Sequence, residues 1–272
     1  MADKRDEAIV LMHQKRFADA LVLFKQLLVS DANDWGLLYM AGQCCRFQND
    51  LKGAIHYLKR AVAINVREPR IMLALGIAQQ LNREYIDAIK SLKQAIEFDP
   101  DYDLAYNSLA LTQKKTGDLE NALHNYDAGV KALSRSIVKN MNNSRANTIY
   151  KHRDSRQNLW AEYAVFGAMY ICSTTDGIDN VAWPTAEQVA EEELAEQYSG
   201  LYWTDHRTND NKNTRLFLSN FFNTFRETLR KDATYSNLIG NMGTVFELLG
   251  QQTEAKKHFE EAEDFNSGQH FT

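Results

Sequence analysis

Proline, cysteine and glycine are all scarce in this chain, at 3, 3 and 13 among 272 residues. A β-sandwich of many short strands needs frequent turns, and turns draw on proline and glycine, so the shortage favours long helices. Cys44, Cys45 and Cys172 are odd in number, and neighbouring cysteines rarely pair with each other, so no disulfide framework is expected. That usage points to a reducing compartment. No run of 18 apolar residues occurs, which excludes an ordinary membrane-spanning helix. The first residues turn amphipathic at once and show no apolar signal core, so the chain reads as cytoplasmic. A strong charge excess is missing too: the formal net charge is −5, far from the basic surplus of a dedicated nucleic-acid binder. What is present, 44% hydrophobic and 25% charged residues, is ordinary for a folded chain and not for a disordered one.

The chain repeats itself. Ala20, Ala54, Ala88 and Ala122 are spaced 34 residues apart, and a larger apolar residue follows each by four: Phe24, Leu58, Leu92 and Tyr126. Twelve residues before each alanine stands another small residue: Ala8, Gly42, Gly76 and Ala110. Seven residues after each come Leu27, Ala61, Ala95 and Gly129. Four copies in one register make a repeat protein.

The pattern resembles the tetratricopeptide repeat, which runs W-x₂-L-G-x₂-Y, then A-x₃-F, then P. The unit with Met72, Leu75, Gly76, Ala88, Leu92, Ala95 and Pro100 matches most fully. A further copy at 236–269 carries Ile239, Met242, Gly243, Phe246, Ala255, Phe259 and Ala262. There are departures: Lys4 and Glu7 replace apolar residues in the first unit, and Gln79 and Gln113 occupy the usual aromatic position. The resemblance implies an all-α fold, a right-handed superhelical solenoid of antiparallel helix pairs. Small residues would let paired helices approach closely, and larger ones would pack into the next repeat.

Four repeats over 1–136 are followed by an interruption. Ala255 lies 133 residues after Ala122, three short of four repeat lengths, so 137–235 is a helical insertion or a set of degenerate repeats. The C-terminal repeat and cap then occupy 236–272. The helix ending the fourth repeat is expected to run to about Met141. An amphipathic stretch at 154–172 carries Leu159, Tyr163, Phe166 and Tyr170. Pro184 and Thr185 open another helix, with Gln188 completing a capping box. Residues 200–213 read as loop, and 216–229 as a helix rich in phenylalanine. Trp160, Trp183 and Trp203 fall in the same interval, and aromatic density of this kind predicts an ordered insertion docked on the repeats.

The resemblance also says where function should sit, since the first helix of each pair lines the concave wall of the superhelix. The implied partner-binding residues are Arg5, Ile9, Met12, Tyr39, Met40, Gln43, Phe47, Arg70, Leu73, Ile77, Asn107, Leu111 and Lys114. Apolar and polar groups mixed in this way suit a peptide or helix of another protein, apolar anchors supplying energy and polar groups fixing register. Some family members clamp chaperone C-terminal carboxylates with a lysine, two asparagines, a lysine and an arginine. The matching positions here hold Arg5, Ile9, Met40, Arg70 and Ala74, so that reading is rejected.

No motif carries chemistry. Walker, dinucleotide-binding, HExxH and CxxC patterns are all missing. Asp205, His206 and Asp210 lack a recognised metal-ligand spacing, and no metal or cofactor is expected. The basic run Lys131, Arg135, Lys139, Arg145, Lys151, Arg153 and Arg156 could meet the acidic Glu187, Glu191, Glu192, Glu193 and Glu196. Solvated or internally paired charge is the reading taken, and nucleic acid is not expected as a partner. The sequence therefore reads as a non-catalytic scaffold (adaptor, assembly factor or chaperone-like protein) binding a protein partner in the concave groove. Its alternatives are an enzyme with its site in 137–235 and a self-assembling scaffold.

Overall fold

The structure, a computed structural model, describes residues 2–149, 228 and 231–267. The stretches predicted at 154–172 and 200–213, the helix opened by Thr185, the three tryptophans and the Asp205 cluster lie outside the described residues. So does the helix expected at 216–229, except Thr228, which is helical. The described residues form ten helices and no strand: α1 (Ala2–His13), α2 (Phe17–Ser30), α3 (Trp35–Phe47), α4 (Leu51–Ile64), α5 (Pro69–Leu81), α6 (Tyr85–Phe98), α7 (Asp103–Thr116), α8 (Leu119–Ile149), α9 (Ala233–Leu248) and α10 (Gln252–Ser267). The chain divides into two compact units, Met1–Asn125 and Tyr126–Thr272. Helix α8 is longer than expected and continues to Ile149 rather than stopping near Met141.

The repeat register fixes how helices pair. Ala20, Ala54, Ala88 and Ala122 are fully buried, as are Ala8 and Ala110. A Cβ added at Gly42 would come within 2.7 Å of the Leu58 side chain, and one at Gly76 within 2.6 Å of Leu92. In the last pair, a Cβ at Gly243 would come within 2.8 Å of Phe259. The small residue of each first helix thus receives the large residue of the second, and the backbones close on one another. One core runs from α1 to α5 through Phe24, Leu38, Leu58 and Ile71. A second joins α5, α6 and α7 through Met72, Leu73, Leu92 and Leu109.

The turn within each pair also repeats. Lys15, Asn49, Arg83, Gly117 and Gly250 all take positive φ, at 60°, 63°, 64°, 82° and 78°. The next residue's N–H bonds back five residues each time, as from Arg16 to Leu11, Asp50 to Cys45 and Glu84 to Gln79. Asp118 to Gln113 and Gln251 to Phe246 complete the series. This is the Schellman ending, which favours glycine at the left-handed position because a Cβ is strained there. Three of the five turns manage without glycine. We expect Arg83→Gly to raise stability by up to about 1 kcal/mol and Gly117→Ala to lower it by about 1 kcal/mol. Urea denaturation of both variants checks this, and an Arg83→Gly protein that loses stability or a Gly117→Ala protein that gains it would refute the shared turn geometry.

The departures at Gln79 and Gln113 have a structural reason. Gln79 Oε1 accepts a 2.8 Å hydrogen bond from Ser91 Oγ, and Gln113 Oε1 accepts one of 2.8 Å from Asn125 Nδ2. The equivalent pairs are Leu11 with Leu23, Cys45 with Tyr57, and Phe246 with His258, whose rings lie 4.9 Å apart. Each polar residue in the first helix is therefore answered by a polar residue twelve positions on. Gln79→Leu alone strands the buried Ser91 hydroxyl and should cost about 1 kcal/mol. The double change Gln79→Leu, Ser91→Leu copies the first pair and should recover most of that loss. A double-mutant cycle with no coupling would contradict the pairing.

Candidate partner-binding face

Within the first unit, the first helices form one row. Helix α3 packs on α5 and α5 on α7. Acidic residues cap α3 and α5 and double as partners for Arg5 and Arg70. Asp34 accepts from Leu37 N at 3.0 Å, capping α3, and pairs with Arg5 Nη1 at 3.2 Å. Gly36 makes room for this arrangement, since a Cβ there would come within 2.9 Å of Arg5 Nη2. Glu68 caps α5 and accepts from Arg70 Nε at 2.7 Å and Arg70 Nη2 at 3.2 Å. These bonds hold the Glu68 carboxyl below its usual range and push Arg70 above its own.

Most residues expected on the wall keep solvent access. Arg5, Phe47 and Arg70 are exposed, and Ile9, Met12, Tyr39, Met40, Gln43, Ile77, Asn107, Leu111 and Lys114 are half-buried. Leu73 differs: only 6% exposed, it belongs to the core of α5, α6 and α7. Its repeat equivalents, Tyr39 and Asn107, are half-buried.

The polar groups of the wall are held in place. Gln43 Nε2 donates to Tyr39 Oη at 2.9 Å, and Arg46 Nε donates to Gln43 Oε1 at 2.8 Å. Gln80 Nε2 reaches across to α7, donating to Thr112 Oγ1 at 2.7 Å and to the Ser108 carbonyl at 3.3 Å. Tyr102, just before α7, is pushed up to about 12, first by burial and then by nearby Tyr39, with Arg70 pulling the other way. Burial lowers Lys114, and neighbouring Lys115 adds to the effect. Asn107 Oδ1 is buried with no hydrogen-bond donor among the described residues, a leftover that calls for an explanation.

Sequence reasoning missed Arg46, Gln80 and Tyr102. Arg46 was legible in principle, because Tyr39, Gln43 and Arg46 are spaced by four and three and share one helix face. Tyr102 sits in a connection outside the helical pattern and gave no such signal.

Chemistry at the cysteines is disfavoured. Cys44 and Cys45 are buried, and burial above all pushes their thiols up to about 12 and about 11. A thiol so raised is a poor nucleophile near neutral pH. Among the described residues, no three His, Cys, Asp or Glu side chains gather as metal ligands, and no helix is long and apolar enough to cross a membrane. Lys131, from the basic run, pairs with Asp127 at 3.0 Å.

Comparison with known proteins agrees with the geometry. A tetratricopeptide-repeat model matches residues 36–65, which carry α3 and α4. A second TPR-repeat model matches 84–117, which carry α6 and α7. Two crystal structures of MamA have similar folds. One has a TM-score of 0.55 at 14% identity, covering 96% of this chain and 95% of that one. The other has a TM-score of 0.54 at 14% identity, covering 100% and 98%. Over 104 residues the chain is 25% identical to a Solanum lycopersicum protein named as a probable UDP-N-acetylglucosamine–peptide N-acetylglucosaminyltransferase, SPINDLY. That match spans 38% of this chain and 11% of the plant protein. Two tetratricopeptide repeats are thus matched inside a register that five helix pairs share.

Proposed function

We propose that the chain is a non-catalytic scaffold, an adaptor, assembly factor or chaperone-like protein of the cytoplasm. It holds a peptide or helix of another protein against the inner row of α1, α3, α5 and α7. One observation carries this reading. Along the row, part-exposed apolar groups (Met40, Phe47, Ile77 and Leu111) lie beside polar groups already fixed in position, Tyr39 by Gln43 and Arg70 by Glu68. Apolar anchors next to pre-oriented polar groups lose little side-chain entropy on binding, which favours a partner of defined sequence.

Asn107 supports the same reading, since its orphaned acceptor belongs to the wall. The test is affinity capture from native lysate with the wild-type chain and a Tyr39→Glu, Met40→Glu variant. A partner retained by the first and lost by the second is the expected result; equal retention would move the site away from this wall.

A further inference from the structure

The inner wall carries three arginines, and the structure treats them differently. Arg5 is paired with Asp34, and Arg70 with Glu68. Arg46 meets no carboxylate among the described residues; its Nε donates to the neutral Gln43, and its guanidinium lies 4.2 Å from the Phe47 ring centroid. The repeat explains the difference. Arg46 is equivalent to Gln80, whose amide is satisfied by Thr112 and by the Ser108 carbonyl on the next first helix. The residues equivalent to Ser108 and Thr112 beside Arg46 are Ala74 and Ala78, and neither alanine offers a side-chain acceptor.

Burial also works against the charge, lowering the Arg46 pKa, with Tyr39 opposing. A half-buried cation without a counter-ion is costly to keep and gains strongly from an incoming anion. Its surroundings define what else that ligand needs. Phe47 is 52% exposed and stacks on Phe17 with ring centroids 4.5 Å apart. An apolar platform therefore adjoins the unneutralised guanidinium.

Resting on the groove reading above, we infer that the partner segment is acidic: a peptide that sets an Asp or Glu carboxylate on Arg46 and a neighbouring bulky apolar side chain on Phe47. The chain as a whole is negative, at −5, so attraction to an acidic peptide comes from this wall and not from bulk charge.

The test uses fluorescein-labelled peptides with leucine and phenylalanine at alternate positions and glutamate, lysine or serine between them, read by fluorescence anisotropy on the full chain. The glutamate series should bind about tenfold more tightly than the serine series, the size expected for one charge-assisted hydrogen-bonded contact. The lysine series should bind more weakly still. Arg46→Gln, which places the Gln80 residue type at its equivalent position, should erase the glutamate preference; Arg46→Lys should keep part of it. Unchanged thermal melting confirms that both variants fold. Equal binding of all three series overturns the acidic preference and leaves the groove reading standing. Binding by none of them counts against both, and a preference that survives Arg46→Gln overturns the assignment to Arg46.

Discussion

Replacing Gly76 with leucine is expected to destabilise the chain by about 3 kcal/mol, the upper part of the range for forcing bulk into a filled core. Even a bare Cβ at this position would lie 2.6 Å from Leu92 Cγ, 2.8 Å from Leu92 Cδ2 and 3.3 Å from the Ala88 carbonyl. Leu92 is fully buried and cannot swing away, and the third contact is backbone. Helix α5 would have to move off α6, disturbing the core that continues into α7. Glycine inside a helix ordinarily costs about 1 kcal/mol relative to alanine, so its use here shows that close approach outweighs propensity. Gly240→Ala is the matched control: its Cβ would meet only Ala262 Cβ, at an ordinary 3.7 Å, and the change should stabilise slightly. Denaturation curves of the two variants should move in opposite directions. A Gly76→Leu protein as stable as wild type would break the repeat register. Adding Leu92→Ala should restore part of the loss, because the clash is with that one side chain.

The 34-residue spacing of small residues was enough to define the pairing of helices, because close packing leaves only alanine or glycine at those points. The Schellman turns were harder to see. Gly117 and Gly250 announce them, but lysine, asparagine and arginine hold the same conformation at 15, 49 and 83, and only the asparagine is a residue type that tolerates it readily. Gln79 and Gln113 looked like lapses from the pattern until the hydroxyl of Ser91 and the amide of Asn125 were seen to answer them. Such compensation needs two positions to be read together. The residues expected on the wall follow one helix face, and Leu73 is buried where its repeat equivalents Tyr39 and Asn107 are half-buried. Tyr102 packs on the same core as Leu73 from a connection that carries no helical periodicity.

The second large effect concerns binding. The Tyr39→Glu, Met40→Glu variant should lose a groove-bound partner by at least about 2 kcal/mol, roughly thirtyfold in affinity. Both side chains pack partly on the core of α1 to α5 while keeping one surface open, so charged replacements put a carboxylate where a ligand would meet the wall. The tyrosine also orients Gln43, and through it Arg46, so its loss loosens the site beyond its own contact. Folding must be checked first, since Met40 contributes to the core edge. Ile86→Glu supplies the comparison that separates a groove from mere stickiness. Ile86 is on the second helix of its pair and is 74% exposed, an apolar group of similar size outside the inner row. If capture depends on scattered surface hydrophobicity, Ile86→Glu should weaken it as much as the groove variant does. If it depends on the row of first helices, Ile86→Glu should leave it unchanged, because a single exposed apolar residue away from the contact contributes nothing to binding.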